Sequence, residues 1–300
     1  MPVNNDKKSE RESYAVDIEK LKELAETGDA TALYALGTAY LFGWEVEEDI
    51  EKGIKMLEEA SEDGEINAMT MLVRLFMSQV YHMDPKKAIE YATTASENGN
   101  CDAMLFLGTA YMDGFVVEQD YKKAAELFKE SAENGNIEAM NSFGYLLQEG
   151  LGVDKDPEKA FDHFLSAAEN GLINAFYQVG ACYEDGTGVK HDLKKAIEWY
   201  TKASEQGDTY AMERLGVIYY CGSEDLPQNP ELSFKWFLDA ALGGMLGAMF
   251  YVGVFHIEGF GVEKDREEGI KWLKLAASSG NTEAGELVSV LESEGDPPVL

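Results

Sequence analysis

Arginine is nearly missing from this chain of 300 residues. Arg11, Arg74, Arg214 and Arg266 are the whole set, and 25 basic residues face 56 acidic ones, for a formal net charge of -31. A field of that sign repels DNA, RNA and anionic membranes and draws basic partners, and no arginine cluster is present to read phosphate. Nucleic-acid binding is excluded on that ground. Cysteine is as scarce: Cys101, Cys182 and Cys221 fall at unrelated places in the sequence and propose no disulfide framework. Long apolar runs are missing too, and without eighteen consecutive apolar residues nothing inserts into a membrane. The polar start, Met1 to Tyr14, has no signal-peptide core. A cytoplasmic protein is expected.

What the chain does have is a mark repeated eight times, a glycine followed four residues later by alanine. The pairs are Gly28/Ala32, Gly64/Ala68, Gly99/Ala103, Gly135/Ala139, Gly171/Ala175, Gly207/Ala211, Gly244/Ala248 and Gly280/Ala284, with successive glycines 36, 35, 36, 36, 36, 37 and 36 residues apart. Such a period makes the protein one unit copied about seven times, each touching mainly its neighbours. Within the unit that opens at Gly171, Ala175, Phe176, Val179, Gly180 and Tyr183 recur at helical spacing, as do Ala196, Trp199, Tyr200 and Ala203. Each unit is therefore a pair of helices.

The boundaries follow from local chemistry. Fifteen residues before each repeat glycine stands Ser13, Asp49, Asp84, Asp120, Asp156, Asp192, Asn229 or Asp265, all N-cap types, and Pro85, Pro157 and Pro230 follow three of them at the first helical position. These residues open the second helix of each pair, and the repeat glycine ends it in the left-handed conformation. Small residues at Gly37, Gly108, Gly144, Gly180, Gly216 and Gly253 let a facing helix approach. Leu36, Leu107, Leu215, Trp199, Trp236 and Trp272 are expected to fill the space between. A second small series, Gly53, Ala88, Ala124, Ala160, Ala196, Ser233 and Gly269, lies near the start of each second helix.

The motifs Ala103…Leu107-Gly108…Tyr111…Gly114, Gly150-Leu-Gly152-Val153…Asp156…Lys159-Ala160 and Gly186-Thr-Gly188-Val189…Lys195-Ala196…Trp199…Lys202-Ala203 resemble the Sel-one-like repeat family, a variant of the tetratricopeptide fold. The resemblance covers residues 13 to 292. It implies an all-α, right-handed superhelical solenoid of about seven helix pairs of about 36 residues, used as an adaptor or scaffold for other proteins. The expected organisation is a mobile segment 1–12, one solenoid over 13–293 with repeats starting near 28, 64, 99, 135, 171, 207 and 244, and a flexible tail 294–300. Capping helices are expected at Ser13–Thr27 and Gly280–Glu292. Two units depart from the pattern, with a short connection at 79–83 and a long one at 221–229.

By the same resemblance the first helices line a concave surface. Positions three, six, ten, thirteen and fourteen after each repeat glycine then face a groove. They place there Tyr34, Asp102, Asp113, Glu138, Tyr145, Tyr177, Asp185, Tyr210, Glu213, Tyr220 and Phe250, with Glu149, Glu184 and Glu258. Aromatics give contact area at low entropic cost and carboxylates steer cations, so the expected partner is a basic or amphipathic segment of another protein.

Chemistry is not expected. His163 stands at the repeat position of Trp199 and His256 at that of Tyr183, so both are packing residues; His82 and His191 lie in loops without a second ligand at metal-site spacing. No strand precedes Gly186-Thr-Gly188 to make a phosphate cradle, and no cysteine has a neighbouring histidine in a nucleophile pattern. The chain reads as non-enzymatic, without cofactor or metal, and as a monomer, self-association through end helices being the alternative. Two other functions remain open: an immunity-type inhibitor that occludes a basic protein, and, remotely, a β-lactam-binding hydrolase of the kind implied by secreted relatives, whose paired cysteines are lacking here.

Overall fold

A computed structural model describes residues 17–78, 84–224 and 226–293, and among them sixteen α-helices and no strand. In chain order these are α1 Ile18–Glu26, α2 Ala30–Phe42, α3 Ile50–Glu62, α4 Ile66–Met77, α5 Pro85–Glu97, α6 Cys101–Asp113, α7 Tyr121–Glu133 and α8 Ile137–Glu149. They continue as α9 Pro157–Glu169, α10 Ile173–Asp185, α11 Leu193–Glu205, α12 Thr209–Cys221, α13 Pro230–Leu242, α14 Leu246–Glu258, α15 Arg266–Ser278 and α16 Thr282–Ser293. Even-numbered helices are the first members of the pairs. The chain divides into two compact units, residues 1–146 with 150–154, and 147–149 with 155–300. In the first unit α1 to α7 pack each on the next, and in the second α9 to α16 do. The segments 1–12 and 294–300, Ser13, and the short connection 79–83 with His82 lie outside the described residues.

Helix boundaries follow the capping chemistry. The side chains of Asp49, Asp84, Asp120, Asp156, Asp192, Asn229 and Asp265 each accept a backbone N–H from the first turn of the helix they open, satisfying donors that would otherwise be orphaned. The first described helix differs: its cap is Asp17, which accepts from the Lys20 N–H at 3.1 Å. A second set of caps was not legible as a series. Asp29, Glu65, Asn100, Asn136, Asp208 and Asn281, each directly after a repeat glycine, cap the first helices. The glycines before them, from Gly28 to Gly280, all hold positive φ between 83° and 108°, a backbone that a side chain would strain.

Packing inside a pair sets glycine against a ring or a leucine. A Cβ placed on Gly108 would meet the Phe128 ring at 2.6 Å, on Gly180 the Tyr200 ring at 2.8 Å, on Gly216 the Phe237 ring at 2.9 Å, and on Gly253 the Leu273 side chain at 2.7 Å. The large partners are thus Phe128, Tyr200, Phe237 and Leu273, each at most 1% exposed. The tryptophans expected in that role, Trp199, Trp236 and Trp272, are half-buried one position earlier. One residue of helix is a rotation of about 100°, which moves the tryptophan from the pair seam to its flank. Burial of each ring or leucine contributes roughly 1.5–3 kcal/mol. The second small series sits where helices cross: a Cβ on Gly53 would meet the Gly37 carbonyl oxygen at 2.8 Å and one on Gly269 the Gly253 carbonyl oxygen at 2.7 Å. Ser233 fits there by donating its hydroxyl to the Gly216 carbonyl at 2.9 Å, which removes the cost of burying it.

Candidate partner-binding surface

In the first unit, a cleft of about 500 Å³ is lined by first helices alone: Thr70, Val73 and Arg74 of α4, Asp102, Leu105 and Phe106 of α6, and the opening turn of α8 from Gly135 to Glu138. It brings together two of the expected carboxylates, Asp102 and Glu138, both exposed. Asp102 accepts a hydrogen bond from Asn136 Nδ2 at 3.1 Å, while Asn136 Oδ1 caps α8 by accepting the Ala139 N–H at 2.8 Å. The carboxylate therefore sits at the positive end of α8, where its charge is favoured. Arg74 shares the cleft, so its lining is mixed rather than purely acidic. Tyr145, 45% exposed, lies two helical turns beyond Glu138 on the same face of α8, and Asp113, also exposed, three turns beyond Asp102 on α6. Tyr34 is different in kind: it is half-buried against the core around Leu33 and Leu72.

The second unit gathers the aromatics. Tyr210, on the first turn of α12, is 64% exposed and meets Tyr177 of α10 edge-on, centroids 6.5 Å apart; Tyr177 in turn packs on Tyr200 of α11 at 5.4 Å. The Tyr177 phenol is pushed up from its ordinary pKa chiefly by burial, with Glu184, Asp208 and Glu213 adding to the rise and Arg214 opposing it. Those four charges thus lie within electrostatic reach of one hydroxyl. Glu184, expected among the groove acids, is not free. Arg214 grips it with two donors, Nη2 to Oε1 and Nε to Oε2, the latter at 3.3 Å, and the Tyr200 hydroxyl donates to Oε2 at 2.7 Å. Burial and the hydrogen bond to Glu184 hold the Tyr200 phenol far above the ordinary range. This knot of Tyr200, Glu184 and Arg214 spans α10, α11 and α12, and its one signal in the sequence was the rarity of arginine.

The other expected residues divide between packing and solvent. Tyr220 stacks on Phe255 at 5.6 Å and meets Phe260 edge-on at 5.2 Å, and Phe250 packs on the cluster around Leu273 and Val288. Asp185 and Glu258 are exposed, and Glu213 is half-buried. Asp185 borders a second open cleft of about 760 Å³ with His191, Lys194, Arg214 and Cys221. His191 Nδ1 lies 2.6 Å from the Glu184 carbonyl oxygen, which fixes the ring at the loop base. His256 packs edge-on against Phe234 at 5.3 Å, as its repeat position implies, and leaves Nδ1 buried without a hydrogen-bond partner. Burial pushes the Cys182 thiol up to about 11, so it stays protonated and unreactive at neutral pH. Among the described residues no group of three or more His, Cys, Asp or Glu side chains is placed to hold a metal ion, and no helix is long and apolar enough to cross a membrane.

The helix pairs, their period and their caps define a repeat scaffold of the tetratricopeptide type, and the comparison with known families names the repeat. The Sel1 repeat matches residues 30–65, 78–100, 101–136, 137–172, 174–208, 209–245 and 247–281, and the chain belongs to that family. Among solved structures, it is similar to a Sel1 repeat protein from Oxalobacter formigenes, with 28% identity over 96% of this chain and 82% of that one, at a TM-score of 0.75. It is also similar to c5321, a protective antigen of uropathogenic Escherichia coli with the same repeat fold, with 24% identity over 93% of this chain and 68% of that one, at a TM-score of 0.58. No curated protein matches the chain. Sel1 repeat proteins generally mediate protein–protein interactions, and the scaffold is generally non-catalytic.

Proposed function

We propose that this chain is a non-enzymatic, monomeric adaptor that holds a basic or amphipathic segment of a partner protein against its first helices. The observation that carries the reading is the ring pair Tyr177–Tyr210, its outer member 64% exposed, set beside Glu213 and Asp208. An exposed tyrosine stiffened by a second ring offers contact area with little entropy to lose, and nearby carboxylates favour a lysine or arginine. In the first unit, the exposed Asp102, Glu138 and Asp113, with Tyr145, are the acidic counterpart on α6 and α8. Glu184 has no part in it, because its charge is already met by Arg214. Placement in the cytoplasm belongs to the same reading: Cys101, Cys182 and Cys221 are free thiols, the form a reducing compartment maintains.

Capture of partners on the immobilised chain and identification by mass spectrometry tests this. The expected partner has a basic segment, and its affinity falls as salt rises because exposed charge pairs are screened over about 10 Å at 0.1 M. Replacing Tyr177 and Tyr210 together by alanine is expected to weaken binding by roughly 1–2 kcal/mol. Affinity unchanged by both salt and the double substitution refutes the groove. An adaptor leaves its partner's activity intact while bridging it to a second protein; abolition of that activity at equal stoichiometry would instead make the chain an inhibitor.

A further inference from the structure

Among the described connections, the one that follows α2 is the more acidic of two that lack a basic residue and expose an aromatic at the same repeat position, the other being 114–120 with Phe115 43% exposed. The α2 connection reads Gly43-Trp44-Glu45-Val46-Glu47-Glu48-Asp49, without a basic residue, where the loops at 150–156, 186–192 and 259–265 carry Lys155, Lys190 and Lys264. Trp44 is 59% exposed and stacks on Phe42, itself 42% exposed, with centroids 5.0 Å apart. Phe260, at the repeat position of Trp44, is half-buried against Tyr220 and Phe255. The same site that packs an aromatic inward there presents one outward here, as it does at Phe115. The loop is held rigid: the Trp44 N–H donates to the Ala39 carbonyl and the Asp49 N–H to the Tyr40 carbonyl, both at 2.9 Å. Glu45 holds a left-handed backbone, φ 56°, as Val116 does at φ 67°, where other repeats place Gly152, Gly188 and Gly261. The carboxylate follows the tryptophan directly, at a cost in backbone strain that Val116 shares.

We infer that the Phe42–Trp44 pair, followed in the loop by the exposed Glu45, Glu47 and Glu48, is a second docking surface, apart in sequence from the Tyr177–Tyr210 pair, for an arginine-bearing amphipathic helix of a partner protein. The charges settle the occupant. A guanidinium stacks on an indole face while pairing with carboxylates, and its planar form suits both contacts better than an ammonium does. A second copy of this chain would bring the same acids to the surface and be repelled. Two docking surfaces on one chain are what bridging two proteins requires, so the inference extends the adaptor reading without depending on Tyr177 and Tyr210.

The test uses the full chain and short helical peptides of leucine with arginine, lysine or glutamate, at physiological ionic strength. The Trp44 indole N–H resonance, assigned by its loss in Trp44→Phe, is followed beside calorimetry. The arginine peptide is expected to shift that resonance in step with binding and to bind more tightly than the lysine peptide, and the glutamate peptide not to bind. Trp44→Ala is expected to weaken the arginine peptide about tenfold, as is the combined change Glu45→Gln, Glu47→Gln and Glu48→Gln. The Tyr177→Ala, Tyr210→Ala protein is expected to keep the Trp44 shift, which separates this surface from the Tyr177–Tyr210 pair. A Trp44 resonance that does not move, or equal affinity in Trp44→Ala, overturns the inference and assigns any binding to diffuse charge. A concentration-dependent mass that masks Trp44 overturns it in favour of a second copy.

Discussion

At the scale of single residues, the pair seam is the most exacting place in the molecule. Gly180 is legible in the sequence as a small position and Trp199 as one of the large residues expected to fill the space between helices, whereas it is the Tyr200 ring that lies against Gly180. A periodic pattern tells which residues lie near a seam within about one position, since neighbouring helical residues differ by about 100° and both can carry rings. Gly180→Ala is therefore expected to cost about 1–3 kcal/mol by forcing the ring aside. The loss should grow if the displaced Tyr200 hydroxyl releases Glu184. Thermal unfolding measures it, and Gly180→Ala with wild-type stability would show that the seam yields freely. The Glu184–Arg214 pair teaches the complementary lesson: a carboxylate assigned to the groove by its register is committed to the scaffold because an arginine from the next helix pair reaches it.

At the scale of elements, the helices begin and end where short side chains can satisfy orphaned backbone groups. The caps of the second helices could be read directly, because Asp or Asn recurs at a fixed distance from the repeat glycine. The first-helix caps were hidden by two exceptions, Leu172 before α10 and Met245 before α14, neither of which makes a side-chain cap hydrogen bond. Leu172→Asn supplies the missing acceptor in an extended backbone already suited to it, φ -73° and ψ 109°. It is expected to raise stability by about 1 kcal/mol, seen as a higher denaturation midpoint with an unchanged slope. An unaltered or lowered midpoint would mean that the Leu172 side chain contributes more by packing than a cap restores. Loops were the least legible elements, since exposure of Trp44 and half-burial of Phe260 at one repeat position depend on which neighbouring ring is within reach.

At the scale of the whole molecule, charge is the dominant property. With 56 acids against 25 bases, mutual repulsion favours the unfolded chain, which separates its charges, and added salt screens that repulsion. The melting temperature is thus expected to rise between low and physiological ionic strength while affinity for a basic partner falls. Calorimetric scans over a salt series check the first, and a flat melting temperature would indicate that the acids are spaced widely enough not to interact. Opposite responses to one variable would separate stability from binding. The repeat itself, seven matched copies of the Sel1 motif, makes each helix pair depend on its neighbours for a core, so the surface between them is freed for contacts.

The helix pairs, the period, most of the caps and the sign of the surface can be read from the chain alone, because each of these follows from residues close in sequence or from a simple sum of charges. Which of the expected residues stay exposed is set by the packing of one helix pair on the next. Tyr34, Phe250 and Glu184 were drawn into packing or pairing, Tyr210 and Tyr145 were left exposed, and Trp44 was turned outward. The reason is geometric: period fixes the direction in which a side chain leaves its helix, whereas exposure depends on what the next helix pair places in front of it.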